Sequence, residues 1–168
     1  MKPIEFLLDF DSTCCTHDFP EIGKSIGAEQ VLKVLVENGH KIILFTMRSD
    51  VTNPQATDPT IKNIPGNYLS EAVAWFEERN IPLYGIQTNP TQHTWTSSPK
   101  AYGQACIDDI ALGTPLKYEP NISGRPFVDW EALLPLLEER GMITPEQAEK
   151  LADELNEFWT TPFNDFGS

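Results

Sequence analysis

The chain has 168 residues, of which 40% are hydrophobic and 22% charged; these proportions are typical of a folded protein and argue against a disordered one. Its formal net charge of -13 argues against nonspecific binding to nucleic acid or to an anionic membrane. No apolar run is long enough for a membrane span, and the first residues lack a signal-peptide pattern. The three cysteines, two of them adjacent, do not form a disulfide framework, so we expect a cytoplasmic protein without membrane association.

Short apolar runs alternate with segments of helical periodicity along much of the chain. In order, the sequence predicts a strand at residues 4–8, a helix at 28–38, a strand at 41–45, a helix at 69–79, strands at 83–86 and 105–107, and helices at 129–140 and 144–159. Strands that alternate with helices imply right-handed crossovers and a parallel sheet. We therefore predict an α/β fold of the three-layer, Rossmann-like type, with a mostly parallel sheet flanked by helices and a helical C-terminus.

Local signals mark the ends of several helices. Gly39 follows the first helix, where it can close the last turn. Thr144 precedes Pro145 and lies three residues before Gln147, which is the pattern of a capped helix start. Pro135 lies inside the preceding helix and is expected to kink or divide it.

Aromatic residues are frequent near the end of the sequence, at Phe158, Trp159, Phe163 and Phe166. We expect them to pack on their own domain, because an exposed cluster of this kind would mark a binding surface. Residues 1–140 are assigned to one domain, and residues 141–168 to a helix and tail packed on the same domain.

The strand at residues 4–8 leads into two carboxylates separated by one residue, Asp9 and Asp11. Alternate residues of a strand face the same way, so these two side chains can converge where the strand ends. Nearby carboxylates repel each other unless a cation or proton lies between them. Thr46 and Asp108 also follow predicted strands, and ligands of parallel sheets bind at the carboxyl ends of the strands. The pattern indicates a metal site with a candidate nucleophile.

These residues resemble, in order, the four motifs of haloacid dehalogenase superfamily phosphohydrolases. The first motif matches Asp9-Phe10-Asp11-Ser12-Thr13, the second Thr46, the third Lys100 and the fourth Asp108-Asp109. The likeness is greatest to small bacterial and phage members without a separate cap domain. Those relatives carry an aromatic-Pro-Glu-Ile-Gly segment, here residues 19–23, and often continue the second motif as Thr-x-Arg. The stretch from Met47 to Gly66 is the best local lid, being too short for a folded cap.

The resemblance implies a phosphatase that works through an aspartyl-phosphate. Asp9 would be the nucleophile, and Asp11 the general acid and base. Thr46 would hydrogen-bond the phosphoryl group, and Lys100 would offset the negative charge of nucleophile and substrate. A phosphorylated substrate, either a small molecule or a macromolecule, is the implied partner.

The resemblance also implies Mg²⁺ as the cofactor, because an oxygen-rich set of ligands suits this ion. The implied metal ligands are Asp9, the backbone carbonyl of Asp11, Asp108 and Asp109. Substrate contacts are expected at Ser12, Thr13 and Arg48. For Arg48 a surface salt bridge is the alternative, and its position beside Thr46 favours a contact with phosphate or substrate.

Ser12 departs from the pattern, since these relatives usually carry Gly at this position. Either the backbone is strained there, or the turn keeps an ordinary conformation. Ser12 and the aromatic tail leave open a non-catalytic phosphate- or protein-binding domain. Phosphotransfer to an acceptor other than water also stays open, because it would use the same residues as hydrolysis. Zinc binding by Cys14, Cys15 and His17 is disfavoured, because adjacent cysteines lack metal-ligand spacing and no second ligand pair follows.

Overall fold

The computed structural model describes residues 1–51 and 66–162, with residue 51 described for its backbone only. The strands of this part, in chain order, are β1 (Glu5–Leu8), β2 (Lys41–Leu44), β3 (Asp50–Val51), β4 (Gly66–Asn67), β5 (Gly85–Ile86), β6 (Ala105–Ile107), β7 (Leu116–Lys117) and β8 (Phe127–Val128). The α-helices are α1 (Ala28–Glu37), α2 (Tyr68–Glu78), α3 (Trp130–Glu139) and α4 (Pro145–Thr160).

Four parallel strands form the central sheet, in the order β5-β2-β1-β6. Leu8 of β1 is paired with Leu44 of β2 on one side and with Ile107 of β6 on the other, so the strands end together. These three side chains are buried, which explains why continuous apolar runs predicted the strands. The predicted α/β, Rossmann-like fold with a parallel sheet flanked by helices is confirmed.

Two short antiparallel ribbons were not predicted. β3 pairs with β4, and β7 pairs with β8. Each of these strands has two residues and, unlike β5, no apolar run beside it, so it carries too little periodicity to be recognised in a sequence. The β3–β4 ribbon brackets the stretch predicted as a lid, most of which (residues 52–65) lies outside the described residues.

The C-terminal helix packs on α1 and α3. Leu151 and Leu155 of α4 are buried in the same core as Leu32 and Leu35 of α1. Near the end of α4, the ring of Trp159 stacks on Phe127 with centroids 5.9 Å apart. Two of the aromatic residues expected to pack there, Phe163 and Phe166, lie outside the described residues.

The predicted helix ends agree with the structure at two positions. Gly39 has a φ of 89° directly after α1, and the Thr144 hydroxyl accepts from the Gln147 backbone N–H while the Gln147 side chain accepts from the Thr144 N–H. Of the two outcomes expected at Pro135, a kink or a division of the helix, the division is wrong, since α3 continues through the proline. Leu133, Leu134 and Leu137 are buried around the proline, and this packing outweighs one missing hydrogen bond.

Candidate active site

Three carboxylates meet at the carboxyl edge of the sheet. Asp9 follows β1, and Asp108 and Asp109 follow β6, the neighbouring strand. One oxygen of each side chain lies within 4.8 Å of the other two. Across residues 1–51 and 66–162 this is the sole cluster of at least three His, Cys, Asp or Glu ligand atoms so close together. Strand pairing thus brings together three of the four predicted metal-binding residues.

The charge of this cluster is not balanced by the protein. Burial, followed by the charge of Asp108, raises the pKa of Asp9 to about 8, although a hydrogen bond from Thr13 opposes the shift. Burial and the proximity of Asp109 also raise the pKa of Asp108, against a backbone hydrogen bond from Ile110. Either protons or a cation must offset such a concentration of carboxylates. Hard oxygen ligands of this type fit Mg²⁺, so the donor set matches the cofactor that the sequence implied.

The Thr13 side chain connects Asp9 and Asp109 from the buried side of the cluster. It is fully buried, and its hydroxyl donates to Asp9 Oδ2 at 2.8 Å while accepting the Asp109 backbone N–H at 3.3 Å. The indole N–H of Trp130 donates to the Thr13 carbonyl at 2.7 Å. The expected substrate contact is therefore corrected, because Thr13 is a buried connection between the two strand ends.

Asp11 has a different environment from Asp9, although only Phe10 separates them. Its Oδ2 accepts from Arg48 Nε at 2.8 Å and its Oδ1 from a terminal nitrogen of Arg48 at 2.9 Å. This is a two-pronged arginine–carboxylate pair of the strong kind. The Asp11 carboxylate stays outside the cluster of three, so only the backbone carbonyl of this residue remains a candidate metal ligand.

Arg48 is almost completely buried, with 1% of its side chain exposed. Besides Asp11, its guanidinium donates to the backbone carbonyls of Pro20 at 3.2 Å, Glu21 at 2.8 Å and Tyr68 at 3.4 Å. A guanidinium has five N–H donors, and these contacts use all of them. The expected contact of Arg48 with phosphate is corrected: the residue fixes Asp11 and the segment at residues 19–23.

Lys100 lies elsewhere. It lines a second cavity together with Leu7, Trp95 and Tyr102, and this cavity shares no lining residue with the one beside Asp9. The segment after Lys100 reaches the amino edge of the sheet, where the Gln104 N–H donates to the Glu5 carbonyl at 2.7 Å. A strand of four residues separates that edge from Asp9 by ~13 Å. Lys100 therefore lines a cavity separate from that of the carboxylates, which differs from the position that the motif match implied.

Thr46 lies where predicted, beside the carboxylates. Gln87, which follows β5, accepts from the Thr46 N–H at 2.9 Å and donates to the Thr46 carbonyl at 2.6 Å. The Thr46 hydroxyl accepts the Arg48 backbone N–H at 3.2 Å, which leaves its own proton available. Gln87 was missed in the sequence, because no local pattern marks a side chain that fastens a neighbouring strand end.

Asp9, Asp11, Ser12 and Thr46 face a cavity of about 590 Å³ together with Asp108 and Asp109. Arg48, His17 and Arg125 are the basic residues that line it. Its apolar lining consists of partly or almost fully exposed side chains, namely Phe19, Phe45, Met47 and Ile110. Sequence reasoning did not place Arg125 at the site, because it lies in the β7–β8 connection, far from every motif.

Ser12 adopts the strained one of the two expected conformations. Its φ is 63°, in the left-handed region that favours glycine. The Ser12 carbonyl accepts the Val128 N–H of β8 at 2.9 Å, which fixes this turn against the β7–β8 ribbon. The residue lines the cavity as predicted, in a backbone conformation that costs free energy.

The neighbouring cysteines are structural. Cys14 and Cys15 are both completely buried, and burial raises the pKa of each thiol. Thiols held in the protonated form are poor metal ligands and poor nucleophiles. They belong to the core behind the candidate nucleophile.

No family model and no curated protein matches the chain. A solved structure of a conserved protein from Bacteroides thetaiotaomicron is similar, with a TM-score of 0.59 and 25% sequence identity. The match covers 83% of this chain and 93% of that chain. This likeness supports the α/β fold and carries no assignment of activity.

The described part of the chain contains no helix with both the length and the apolar character that a membrane crossing requires.

Proposed function

We propose that this protein is a Mg²⁺-dependent phosphomonoester hydrolase of the haloacid dehalogenase type. One observation carries the proposal: carboxylates from the ends of two adjacent parallel strands form a cluster of three, and that cluster shares a cavity with Asp11 and Thr46. Asp9, the Asp11 carbonyl and a carboxylate from Asp108-Asp109 would hold the metal. The bound ion would neutralise the carboxylates and the phosphate.

The chain's own residues would divide the chemistry as follows. A carboxylate oxygen of Asp9 attacks phosphorus and forms an aspartyl-phosphate, and the bond from phosphorus to the leaving oxygen breaks. Asp11 gives a proton to that oxygen and later takes one from the water that hydrolyses the intermediate. Thr46 donates its free hydroxyl proton to a phosphoryl oxygen. Arg48 holds both oxygens of Asp11, so proton transfer requires Asp11 to release one of these two bonds.

Turnover of p-nitrophenyl phosphate tests the proposal. The wild-type protein should hydrolyse it with Mg²⁺ and lose turnover with EDTA, and Asp9→Asn should lower kcat at least about a thousandfold. Asp153→Asn, an exposed aspartate of α4, is the matched control and should keep the wild-type rate. Equal turnover by Asp9→Asn and wild type would refute the assignment of the nucleophile.

A non-catalytic phosphate-binding role is the second candidate. It is favoured by the left-handed Ser12 and by an Asp11 whose two oxygens are both occupied by Arg48. Beryllium fluoride separates the two, because a site that forms an aspartyl-phosphate should bind this mimic only with Mg²⁺ present. Product analysis with added alcohols would detect phosphotransfer to an acceptor other than water.

The location in the cell belongs to the same proposal. All three cysteines are free, and two of them are buried. Free thiols are usual in a reducing compartment. We therefore propose a cytoplasmic enzyme whose partner is its phosphorylated substrate.

A further inference from the structure

The cavity beside Asp9 lacks a cation for the substrate among the residues that the motifs name. Four aspartates line it, and an approaching phosphomonoester adds further negative charge. Arg48 has no N–H donor left, and Lys100 lines another cavity. Beyond what Mg²⁺ and the Thr46 hydroxyl provide, neither of these two residues offers the substrate's anionic oxygens a positively charged side chain.

Arg125 is placed to do this. Its side chain is exposed and lines the same cavity as the aspartates. Within the described residues its guanidinium has no hydrogen bond or ion pair, while the backbone N–H is bonded to the Ser123 hydroxyl at 3.2 Å. Its donors are therefore available to a ligand, unlike those of Arg48.

The segment that carries Arg125 is fixed to the site. After Arg125, the Val128 N–H donates to the Ser12 carbonyl at 2.9 Å. Two residues later, the indole N–H of Trp130 donates to the carbonyl of Thr13, whose hydroxyl is bonded to Asp9. On the other side of Arg125, the backbone N–H groups of Ile122 and Ser123 both donate to the Glu119 carbonyl at 3.1 Å, and both side chains are buried. The connection is thus braced on both sides of the arginine.

We propose that Arg125 is the substrate-binding cation of this cavity and takes the phosphate oxygens with its guanidinium fork. The inference rests on the proposed function, since it names the residue that receives the phosphomonoester. A planar fork suits phosphate oxygens better than a point charge does. The role that the motif match gave to Lys100 thereby passes to a residue of the β7–β8 connection.

Inorganic phosphate, titrated calorimetrically into the full chain with saturating Mg²⁺, tests the inference apart from turnover. Arg125→Gln should weaken phosphate binding about ten- to a hundredfold, the effect of losing hydrogen bonds to a charged group. Arg125→Lys should recover part of the loss. Lys117→Gln is the matched control, because it removes a positive charge from the same ribbon. The Lys117 ammonium lies 4.0 Å from the Trp159 ring centre. The affinity of this variant for phosphate should stay within about twofold of wild type. Thermal melts should show all variants folded, because Arg125 is exposed.

The same variants in the p-nitrophenyl phosphate assay should show a raised KM for Arg125→Gln and a smaller change in kcat. Wild-type phosphate binding by Arg125→Gln, or no phosphate binding by the wild type, would overturn the role of Arg125. The first result would leave an Asp9-dependent hydrolase intact. Phosphate binding that depends on Arg125 in a protein without Asp9-dependent turnover would instead refute the hydrolase and keep the anion site.

Discussion

Acidic side chains have opposite environments at the two edges of the central sheet. At the amino edge, the carboxylate of Glu5 accepts from the Asn89 side-chain amide at 2.9 Å, and that amide also donates to the Tyr102 carbonyl. At the carboxyl edge, Asp9 lies against two further carboxylates, and its pKa is raised to about 8. At the amino edge an amide donor satisfies the single carboxylate, whereas at the carboxyl edge burial and the two neighbouring carboxylates raise the pKa of Asp9 so far that it gives up its proton only near pH 8.

This difference shows where the fold gives up stability. Parallel strands collect their connecting loops at the carboxyl edge, so residues from distant parts of the sequence meet there. Buried like charges are costly unless a ligand compensates them. Within that edge, Arg48 neutralises Asp11 and leaves the Asp9 cluster for a cation. Substitutions that disturb one edge and spare the other measure the contrast directly.

The largest effect is expected from removing the buried cation. Arg48→Met should lower the free energy of unfolding by about 3–5 kcal/mol, because it leaves the Asp11 carboxylate and three backbone carbonyls without their donor. Urea denaturation at pH 7 measures the change. Arg48→Lys should recover only a fraction of the lost free energy of unfolding, since an ammonium cannot replace the five donors of a guanidinium.

Arg140 offers the matched control at the amino edge, where it makes a single exposed hydrogen bond to the Gln104 carbonyl at 3.2 Å. Arg140→Met should cost less than about 1 kcal/mol. Similar losses for the two arginines would contradict the structural role assigned to Arg48.

The next effect concerns pH and Mg²⁺. The pKa of Asp9 is raised from 3.8 to about 8 in the folded protein, so the folded state binds more protons than the unfolded state between these values. Without divalent cations, the contribution of Asp9 to stability should therefore fall as the pH rises from 5 to 8. Mg²⁺ should offset that loss, most strongly at pH 8, since it competes with the proton.

Melting temperatures measured from pH 5 to 8, with Mg²⁺ and with EDTA, test this coupling. Asp9→Asn cannot ionise, so the difference between wild type and variant isolates the contribution of Asp9 from that of other groups. Between pH 5 and 8, the free energy of unfolding of the wild type should change relative to that of Asp9→Asn by on the order of a few kcal/mol at most. A wild-type protein that gains stability relative to Asp9→Asn as the pH rises in EDTA would contradict the raised pKa.

Sequence reasoning succeeded where the signal is local. The apolar runs before Asp9, Thr46 and Asp108 fixed three strand ends, and the parallel order then placed these residues at one edge. The pairing of Arg48 with Asp11 was not predictable, because it spans 37 positions and depends on backbone carbonyls of a loop. No periodicity or spacing encodes such a contact.

Lys100 shows the opposite case, in which a sequence pattern predicted a place beside the carboxylates and the structure puts the residue at another cavity. The order of the four motifs favoured it, but a parallel crossover must carry the chain from the carboxyl edge back to the amino edge before β6 begins. Residues shortly before β6 are therefore drawn away from Asp9, and the amide of Gln104 is bonded to Glu5 at that far edge.

A smaller effect is expected at Ser12, whose φ is 63°. Ser12→Gly should raise the free energy of unfolding by about 0.5–1 kcal/mol. A left-handed conformation costs about 1–2 kcal/mol for a residue with a Cβ, and glycine removes that cost. Part of the gain is lost again, because the unfolded chain has more conformational entropy with glycine. Ser25→Gly, at a serine without a positive φ, should be destabilising by a similar amount. Urea denaturation of both variants checks the pair, and a loss of stability in Ser12→Gly would show that the turn is not strained.

The smallest effect should come from Lys100→Ala, and this is where motif order and structure disagree most. A lysine beside the nucleophile and the phosphate would be worth about a hundredfold or more in kcat/KM. Lys100 lines the second cavity instead, and its removal should change kcat/KM for p-nitrophenyl phosphate by less than about threefold and stability by less than about 0.5 kcal/mol. A hundredfold loss of activity with unchanged stability would mean that residues 87–104 rearrange to bring the ammonium to the carboxyl edge. The charge provided for the substrate would then come from the motif lysine, and Arg125→Gln in the same assay would show whether the two cations share the task.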